Sequence, residues 1–380
     1  MTPELQSIAA KVYADQRLSA QDGLTLLRSR DIWTIGALAH HVRLQHHQHQ
    51  TYYNINRHIN YTNICALSCK FCAFYRNPRN PKKSLDGAYE FSVEQITRQA
   101  AEAQANGATE VHIVGGLHPT LPFAYYTDML AGIRAAAPKL HIKAFTAVEI
   151  VHLSRIAHRP DDLPGVLSDL QRAGLGSLPG GGAEVFDDRV HDQAFKGKIR
   201  SKQWLDVHRA AHRLGLMTNA TILYGHIESL EDRVHHLLLL RELQDEAIAQ
   251  GHPGRFQTVI PLPFVPDDSE LEHLPGPCGL DDLKMLAVAR LMLDNFAHVK
   301  AFWIMQTLPL SQLALSFGVD DIDGTVVWYD ITKVGGADTH QEVGVKELCH
   351  AIREAGFAPV ERDTLYRPVQ RAGAQWSVNA

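Results

Sequence analysis

The amino-acid sequence predicts an α/β protein, a (βα)₈ TIM-type barrel with an N-terminal helical segment (1–50), a barrel domain (51–330) and a C-terminal extension packed on the barrel (331–380). Three observations predict this fold. Strand-like runs of four to seven residues alternate with helical stretches of about a dozen, roughly eight such units follow one another, and 45% of the 380 residues are hydrophobic. A doubly wound open sheet is the alternative that these patterns leave open.

The N-terminal segment carries helical patterns. Ser19 can cap a helix with an apolar face at Leu26 and Leu27, and a second apolar stripe runs from Trp33 to Val42. Histidines near the end of the segment suggest a metal site. Paired carboxylates do not accompany them, so a solvated helix end and linker is the favoured interpretation. These histidines are His40, His41, His46, His47 and His49.

Strands and helices alternate along the rest of the chain. Ser92 and Gln95 form a capping box at the start of the first barrel helix, and Gly107 is a natural end for that helix. The predicted strands cover 54–60, 111–114, 141–145, 175–178, 218–223, 256–260, 299–303 and 325–328. The predicted helices cover 93–106, 125–137, 163–173, 202–214, 231–249, 281–296 and 345–355.

Charge and composition exclude several classes of protein. The 37 Lys and Arg residues against 42 Asp and Glu give a net charge of −5, which predicts no general attraction to nucleic acid or to anionic lipid. The sequence contains no apolar run of about 18 residues, so no membrane span is expected. The first residues, Met1 to Leu18, lack the pattern of a signal peptide, and we therefore expect a cytoplasmic protein.

Three of the five cysteines lie within eight residues, in the loop after the first predicted strand. Cys65, Cys69 and Cys72 have the spacing C-x₃-C-x₂-C, and in a barrel this loop lies at the face where active sites are built. Thiolates are good ligands for zinc and for iron–sulfur clusters. Three ligands on one loop would leave one iron of a four-iron cluster open to a substrate or cofactor. The alternatives are a zinc site completed by a distant histidine or by Cys278, and three unrelated buried cysteines.

Glycines and acidic residues follow several other predicted strands. Gly115 and Gly116 end the second strand, where glycine lets the backbone approach a small polar ligand closely. Glu149 follows the third strand and is either a polar site residue or a helix cap. Glu184 comes after three consecutive glycines that end the fourth strand. His226, after the fifth strand, is a candidate for substrate contact, although a structural histidine is the favoured interpretation.

The cysteine motif resembles the C-x₃-C-x-aromatic-C signature of radical S-adenosylmethionine enzymes, with Phe71 as the aromatic residue. The resemblance implies that Cys65, Cys69 and Cys72 bind a [4Fe–4S] cluster whose open iron chelates S-adenosylmethionine. One-electron reduction then cleaves the sulfonium to a 5′-deoxyadenosyl radical. The implied contacts to S-adenosylmethionine are Phe71, Gly115, Gly116, Glu149 and Glu184.

Longer stretches resemble the branch of this superfamily that makes menaquinone and deazaflavin cofactors, and within it the aminodeoxyfutalosine synthases. The similarity extends over roughly residues 20 to 370. Three departures exist. Leu117 stands where many members have glutamate after the two glycines, and Thr221 replaces a glycine in a G-x-I-x-G-x-x-E pattern that ends at Glu228. The segment 265–269 differs from the Pro-Glu-Asn type of segment expected after the sixth strand. The similar stretches are 57–63, 70–74, 110–119, 141–149, 177–184, 219–228 and 361–366.

This resemblance implies addition of the 5′-deoxyadenosyl radical to the enolpyruvyl double bond of 3-[(1-carboxyvinyl)oxy]benzoate. The products are 6-amino-6-deoxyfutalosine, bicarbonate and methionine, in menaquinone biosynthesis. A one-electron donor such as flavodoxin or ferredoxin is the implied protein partner. The alternatives are dehypoxanthine futalosine cyclase and a deazaflavin cofactor synthase-like enzyme. A non-enzymatic metal-binding protein is disfavoured, because it would not retain glycine turns at successive strand ends.

The implied substrate is a dianion, so cationic or hydrogen-bond-donating groups are expected at the barrel mouth. Arg57 and His58 lie on an alternating strand, and either side chain could instead point outward. The candidate catalytic residues are Arg57, His58, His118, His226 and Glu228, with Arg76 as a further candidate cation.

Overall fold

The computed structural model describes residues 2–77, 79–80, 83–326 and 342–378. Its main element is a ten-stranded sheet in which the paired strands are parallel. A separate antiparallel hairpin lies near the C-terminus. The strands are β1 (Gln50–Tyr53), β2 (Asn56–Ile59), β3 (Glu110–Ile113), β4 (His141–Ala144), β5 (Ser177–Leu178), β6 (Met217–Tyr224), β7 (Phe256–Pro263), β8 (His298–Ala301), β9 (Asp321–Ile322), β10 (Ala358–Glu361), β11 (Val369–Ala372) and β12 (Gln375–Val378).

Helices connect the strands, and several begin at capping boxes, in which the cap residue and the third helical residue exchange hydrogen bonds. The box predicted at Ser92 and Gln95 is one of these. The helices are α1 (Pro3–Tyr13), α2 (Ala20–Arg28), α3 (Ile32–His47), α4 (Val93–Ala105), α5 (Phe123–Ala136), α6 (Ala147–Ile156), α7 (Leu163–Ala173), α8 (Asp188–Ala194), α9 (Ser201–Arg213), α10 (Leu230–Ala249), α11 (Gly279–Met292), α12 (Trp303–Gln306), α13 (Leu308–Ala314) and α14 (Val345–Glu354).

Strands β2 to β9 follow one another across the sheet in chain order, each joined to the next through at least one helix. This is the arrangement of a (βα)₈ barrel. The two ends of the series meet at Thr325, whose hydroxyl donates to the Asn56 carbonyl at 3.0 Å and whose amide donates to the Asn54 carbonyl at 3.3 Å. The predicted fold class is therefore confirmed.

Some of the predicted strand positions are wrong. β9, the eighth strand of the series, begins at residue 321, four residues before the predicted start at 325. Residues 327 and 328 of the predicted strand lie outside the described residues. Trp303, predicted to end the seventh strand, instead begins α12. The sequence did not predict β1 and β10, which pair with each other beyond β9 and extend the sheet to ten strands. β9 has only two residues, too few to show a period.

Helix α3 packs on α11 and brings the end of the N-terminal segment against the sheet. The prediction of a solvated helix end is wrong for His47, whose side chain is 8% exposed and lies 3.4 Å from the Asp320 carboxylate. His298 contacts the same carboxylate at 2.6 Å, and Arg290 forms an ion pair with it. This network fastens α3 to the sheet. The domain boundaries after residues 50 and 330 remain predictions.

The two faces of the sheet differ in polarity. On β3, the apolar Val111 and Ile113 belong to the hydrophobic core beneath the helices. They alternate with Glu110 and His112, and His112 faces the interior of the barrel. On β3, therefore, the side toward the interior is the polar one. Among the described helices, none is both long enough and apolar enough to cross a membrane.

Candidate active site

A cavity of about 300 Å³ lies in the barrel at the carboxyl ends of the strands. The cysteine loop, the glycine turns after β3 and β5, and the inner faces of the strands all line it. Parallel strands direct the loops that follow them to the same end of a barrel, which explains why distant segments meet here. The predicted site residues that line this cavity are His58, Cys65, Cys69, Phe71, Cys72, Gly115, Gly116, Glu149 and Glu184.

The loop that carries the three cysteines is held by hydrogen bonds from its main chain. The Ala66 amide donates to the Leu117 carbonyl at 2.8 Å, and the Lys70 amide donates to the Ala194 carbonyl at 2.8 Å. The Leu117 amide in turn donates to the Cys65 sulfur at 3.3 Å. An N–H group directed at a sulfur stabilises its thiolate form, which is the form that binds metals.

The three cysteine sulfurs fit an iron–sulfur cluster. Burial raises the pKa of all three thiols, that of Cys69 to about 12, so their thiolates need a positive partner such as the irons of a cluster. Cys278 is exposed, and neither Cys278 nor Cys349 lines the cavity. Cys278 therefore does not complete a zinc site with the triplet. Three sulfur donors on one loop match a four-iron cluster with one iron left for another ligand.

Glycine is required at both positions of the turn after β3, because the cysteine loop packs directly on it. A Cβ atom at Gly116 would lie 2.3 Å from the Ile64 carbonyl oxygen and 3.1 Å from the Cys65 Cβ. A Cβ atom at Gly115 would lie 2.8 Å from the Tyr61 ring. These two glycines therefore set how closely the cysteine loop approaches the end of β3.

Glu149 connects the glycine turn to helix α6. Its Oε1 accepts hydrogen bonds from the Tyr61 hydroxyl at 2.9 Å and the Gly115 amide at 3.1 Å. Its Oε2 accepts from the Thr146 amide at 2.7 Å and the Thr146 hydroxyl at 2.8 Å, which completes the capping box of α6. Burial raises the pKa of Glu149 to about 7, although these hydrogen bonds oppose the rise. The helix-cap interpretation is thus the one that the contacts support.

Lys198 is a cation of the site that the sequence did not predict. Its ammonium forms an ion pair with Glu184 and lies 5.1 Å from the centre of the Phe71 ring. Burial lowers the pKa of Lys198, but the charges of Glu184 and Cys69 outweigh it and keep the pKa above its ordinary value. Phe71 and Glu184 therefore share one cation beside the cysteines. Lys198 lies in the loop after α8, where no local motif marks it.

The deep end of the cavity, which we call the floor, consists of His58, His112, Lys143, Lys300 and Asp323. Lys300 lies 3.2 Å from Asp323, and the rings of His58 and His112 are 4.4 Å apart. Burial lowers the pKa of His58 to about 4 and also lowers that of His112, so both imidazoles are neutral at pH 7. Of the five residues, the sequence predicted only His58.

Apolar side chains line the cavity toward the strand ends. Leu223 on β6 and Leu262 on β7 are paired neighbours near the carboxyl ends of their strands. Ile260 lies one inward-facing position earlier on β7, and Phe302 and Met305 follow β8. Such a wall excludes water and can hold an aromatic ring, while the charged floor can orient a polar group.

Two of the predicted cations lie outside the cavity lining. Arg57 is adjacent to His58 on β2, and because side chains alternate along a strand it faces α4, where it contacts Gln99 at 3.3 Å. Arg76 donates to main-chain carbonyls that include Ala73, at 3.2 Å. Arg57 therefore packs outside the barrel, and Arg76 holds the segment that follows the cysteines.

The structure does not bring His118, His226 or Glu228 to the cavity either. His118 pairs with Glu90 at 2.9 Å. Glu228 accepts a hydrogen bond from Arg233 at 2.8 Å, and its other oxygen lies 3.2 Å from His226 Nδ1. These contacts stabilise the loops after β3 and β6, which agrees with the structural interpretation favoured for His226.

Comparisons with known proteins agree with this site. Two family models match the chain: the radical SAM superfamily over residues 59–240, and the CofH/MqnC C-terminal region over residues 253–374. Aminodeoxyfutalosine synthase of Thermus thermophilus is 44% identical, over 97% of this chain and 96% of the relative. The protein of the same name from Streptomyces coelicolor is 40% identical, over 95% and 93%. A 5-amino-6-(D-ribitylamino)uracil–L-tyrosine 4-hydroxyphenyl transferase of Methanopyrus kandleri is 36% identical over 90% of each chain.

Solved structures share the fold. Methylornithine synthase superposes with a TM-score of 0.67 at 18% identity, covering 93% of this chain and 97% of its own. The [FeFe]-hydrogenase maturase HydG superposes with a TM-score of 0.70 at 14% identity, covering 94% of this chain and 75% of its own. At these low sequence identities the two solved structures show only a shared fold. The 44% identity to the T. thermophilus relative over nearly the whole chain shows a shared family. The chain therefore belongs to the radical SAM superfamily of enzymes, which use a [4Fe–4S] cluster and S-adenosylmethionine.

Proposed function

We propose that this enzyme joins the 5′-deoxyadenosyl group of S-adenosylmethionine to 3-[(1-carboxyvinyl)oxy]benzoate in menaquinone biosynthesis. With one water consumed, the products are 6-amino-6-deoxyfutalosine, bicarbonate and methionine. The observation that carries the proposal is the 44% identity to the aminodeoxyfutalosine synthase of T. thermophilus over 97% of the chain. The S. coelicolor relative of the same name, at 40% identity, supports it further.

The cavity provides what this reaction needs from the protein. A [4Fe–4S] cluster, when bound, supplies the electron that cleaves the sulfonium of S-adenosylmethionine. Cys65, Cys69 and Cys72 would hold that cluster at one end of the cavity, on the loop that packs against Gly116. The apolar wall would keep stray hydrogen donors away from the radical carbon.

A separate protein has to deliver the electron, and we assign this role to a small redox protein such as flavodoxin or ferredoxin, with the reaction in the cytoplasm. In support, the cysteine loop lies partly at the surface. Ala66, Ser68 and Lys70 are exposed, whereas Cys69 between them is buried. A donor docked on this loop would therefore come close to the cluster ligands.

The fate of the adenosyl group tests the proposal. The enzyme is reconstituted anaerobically with iron and sulfide, then given reductant, the enolpyruvyl benzoate and S-adenosylmethionine labelled in its adenosyl moiety. The expected result is label in an adenosine-containing adduct, with one methionine formed per product.

Two other outcomes would overturn the proposal. Parallel reactions offer the substrates of the two alternative enzymes in place of the benzoate. Free 5′-deoxyadenosine with consumption of dehypoxanthine futalosine would identify the cyclase reaction. Consumption of L-tyrosine together with 5-amino-6-(D-ribitylamino)uracil would identify the reaction named for the 36% identical relative.

A further inference from the structure

The floor is the part of the cavity that cluster binding does not explain. Among the described residues that line the cavity, the lysines are Lys143, Lys198 and Lys300, and arginine is absent. Lys198 already pairs with Glu184 beside the cysteines. The two floor lysines are therefore the cations available to an anionic group at the far end of the cavity.

Each floor lysine has a carboxylate partner that fixes its position. Lys143 lies 2.6 Å from Glu110, and Lys300 lies 3.2 Å from Asp323 and 3.8 Å from Asp321. An ammonium has three N–H donors, so these partners leave donors for a ligand. The lysine side chains are only 3% and 2% exposed, and an ion pair in such a place is weakly screened by water.

The negative charges beneath the floor are themselves balanced. Arg362 lies 2.7 Å from Asp321, and the Tyr366 hydroxyl donates to the same carboxylate at 2.5 Å. An entering anion consequently meets a floor without excess negative charge, with two ammonium groups on its cavity side. The three cations of this set are Lys143, Lys300 and Arg362, and its three carboxylates are Glu110, Asp321 and Asp323.

We propose that the floor binds the ring carboxylate of the substrate, with Lys143 and Lys300 donating to it. This inference rests on the proposed function and specifies how the substrate lies in the cavity. The reacting double bond has to approach the cysteine end, because bond formation needs the carbons to be within about 3–3.5 Å. The enolpyruvyl carboxylate is attached to that double bond, whereas the ring carboxylate is at the other end of the molecule. The aromatic ring then lies against the wall that includes Ile260 and Leu262.

Binding without turnover tests this orientation. The reconstituted enzyme is kept oxidised with S-adenosylmethionine present, and calorimetry measures the Kd of 3-[(1-carboxyvinyl)oxy]benzoate and of 3-[(1-carboxyvinyl)oxy]benzamide. The amide differs from the acid only in the charge and donors of the ring substituent. Charge-assisted hydrogen bonds at the floor predict that the wild-type enzyme prefers the acid by roughly 10- to 100-fold.

Two double variants remove the cations without leaving a buried carboxylate unpaired. Lys143→Met/Glu110→Gln and Lys300→Met/Asp323→Asn should each lose most of the preference for the acid over the amide. The matched control Lys11→Met/Asp22→Asn removes a lysine–carboxylate pair far from the cavity and should keep the full preference. An unchanged spectral response to S-adenosylmethionine shows that each variant still folds around its cluster.

The outcomes separate this inference from the proposed function. Full preference for the acid in both floor variants would overturn the orientation, even where the wild-type enzyme forms the labelled adduct. A wild-type enzyme that binds the acid and the amide with nearly equal Kd would overturn it as well. If neither double variant folds, this wild-type ratio is the deciding measurement. Failure of the wild-type enzyme to bind the acid or form the adduct would overturn the proposed function, and the inference with it.

Discussion

The cysteine loop and the floor line the same cavity, but the chain builds them in different ways. The three cysteines lie within eight residues, and main-chain hydrogen bonds and the close contact with Gly116 hold their loop. The floor residues come from β2, β3, β4, β8 and the segment after β9, and ion pairs hold them. The loop should therefore be sensitive to changes of backbone geometry, and the floor to changes of charge.

Removing a ligand from the loop should have the largest effect. Cys69→Ala leaves two thiolates of three and should abolish the four-iron cluster. Cys278→Ala, whose thiol is exposed and outside the cavity lining, should keep the full iron and sulfide content. Chemical analysis of iron and sulfide after anaerobic reconstitution measures both. Loss of the cluster in Cys278→Ala alone would contradict the three-ligand assignment.

Breaking the charge balance under the floor should have the next largest effect, on folding. Arg362→Met removes the nearer cation of the buried Asp321 and leaves it only Lys300, at 3.8 Å, so it should lower the free energy of unfolding by about 3–5 kcal/mol. Adding Asp321→Asn to this variant should restore most of the loss. Arg172→Met, which removes an arginine that is 73% exposed from its pair with Asp169, should change it by no more than about 0.5 kcal/mol.

Denaturant titration of the three variants measures these differences. If Arg362→Met and Arg172→Met proved equally mild, charge would not be what fixes the floor, and the contrast with the loop would fail.

A methyl group at the glycine turn tests the backbone sensitivity of the loop. Gly116→Ala places a Cβ atom 2.3 Å from the Ile64 carbonyl, and overpacking of this kind costs about 1–3 kcal/mol. The cysteine loop has to move, so the variant should retain much less cluster iron than wild type. Gly344→Ala is the matched control, because a Cβ atom there meets nothing within 4 Å. Equal iron content in both variants would show that the loop does not depend on this contact.

The last expected effect is a pH dependence at Glu149, which changes stability gradually and leaves the cluster ligands in place. The pKa of this carboxyl is about 7 in the folded protein and 4.5 as the ordinary value, so the folded state holds its proton more tightly. The resulting stabilisation is complete below pH 4.5 and is lost as the pH rises through about 7, and the shift corresponds to at most about 3–4 kcal/mol. Thermal unfolding of Glu149→Gln across this range should lack that slope. A parallel pH profile for wild type and variant would contradict the raised pKa.

The loop and the turns beside it could be predicted from the sequence because their signals are local. The spacing of Cys65, Cys69 and Cys72 lies within one short segment, and Gly115 and Gly116 directly follow a strand-like run. Alternating strands and helices of ordinary length predicted the barrel for the same reason. β9, with two residues, shows no such period and was misplaced, and β1 was missed.

The floor could not be predicted in this way. Lys143 and Lys300 are single polar residues on short strands, 157 positions apart in sequence, and only the closure of the barrel brings them together. The sequence instead predicted histidines and glutamates near strand ends as site residues. His118 and Glu228 proved to stabilise loops, because a polar residue just beyond a strand serves a turn as readily as a substrate.

We expect the three cysteines of the loop to hold a cluster with an open iron in this cavity. Electron paramagnetic resonance of the reduced, reconstituted enzyme tests it most directly, recorded with and without saturating S-adenosylmethionine. The amino and carboxylate groups of S-adenosylmethionine should bind the open iron, so we expect a clear change in the spectrum of the cluster. A spectrum that stays the same at saturation would contradict it.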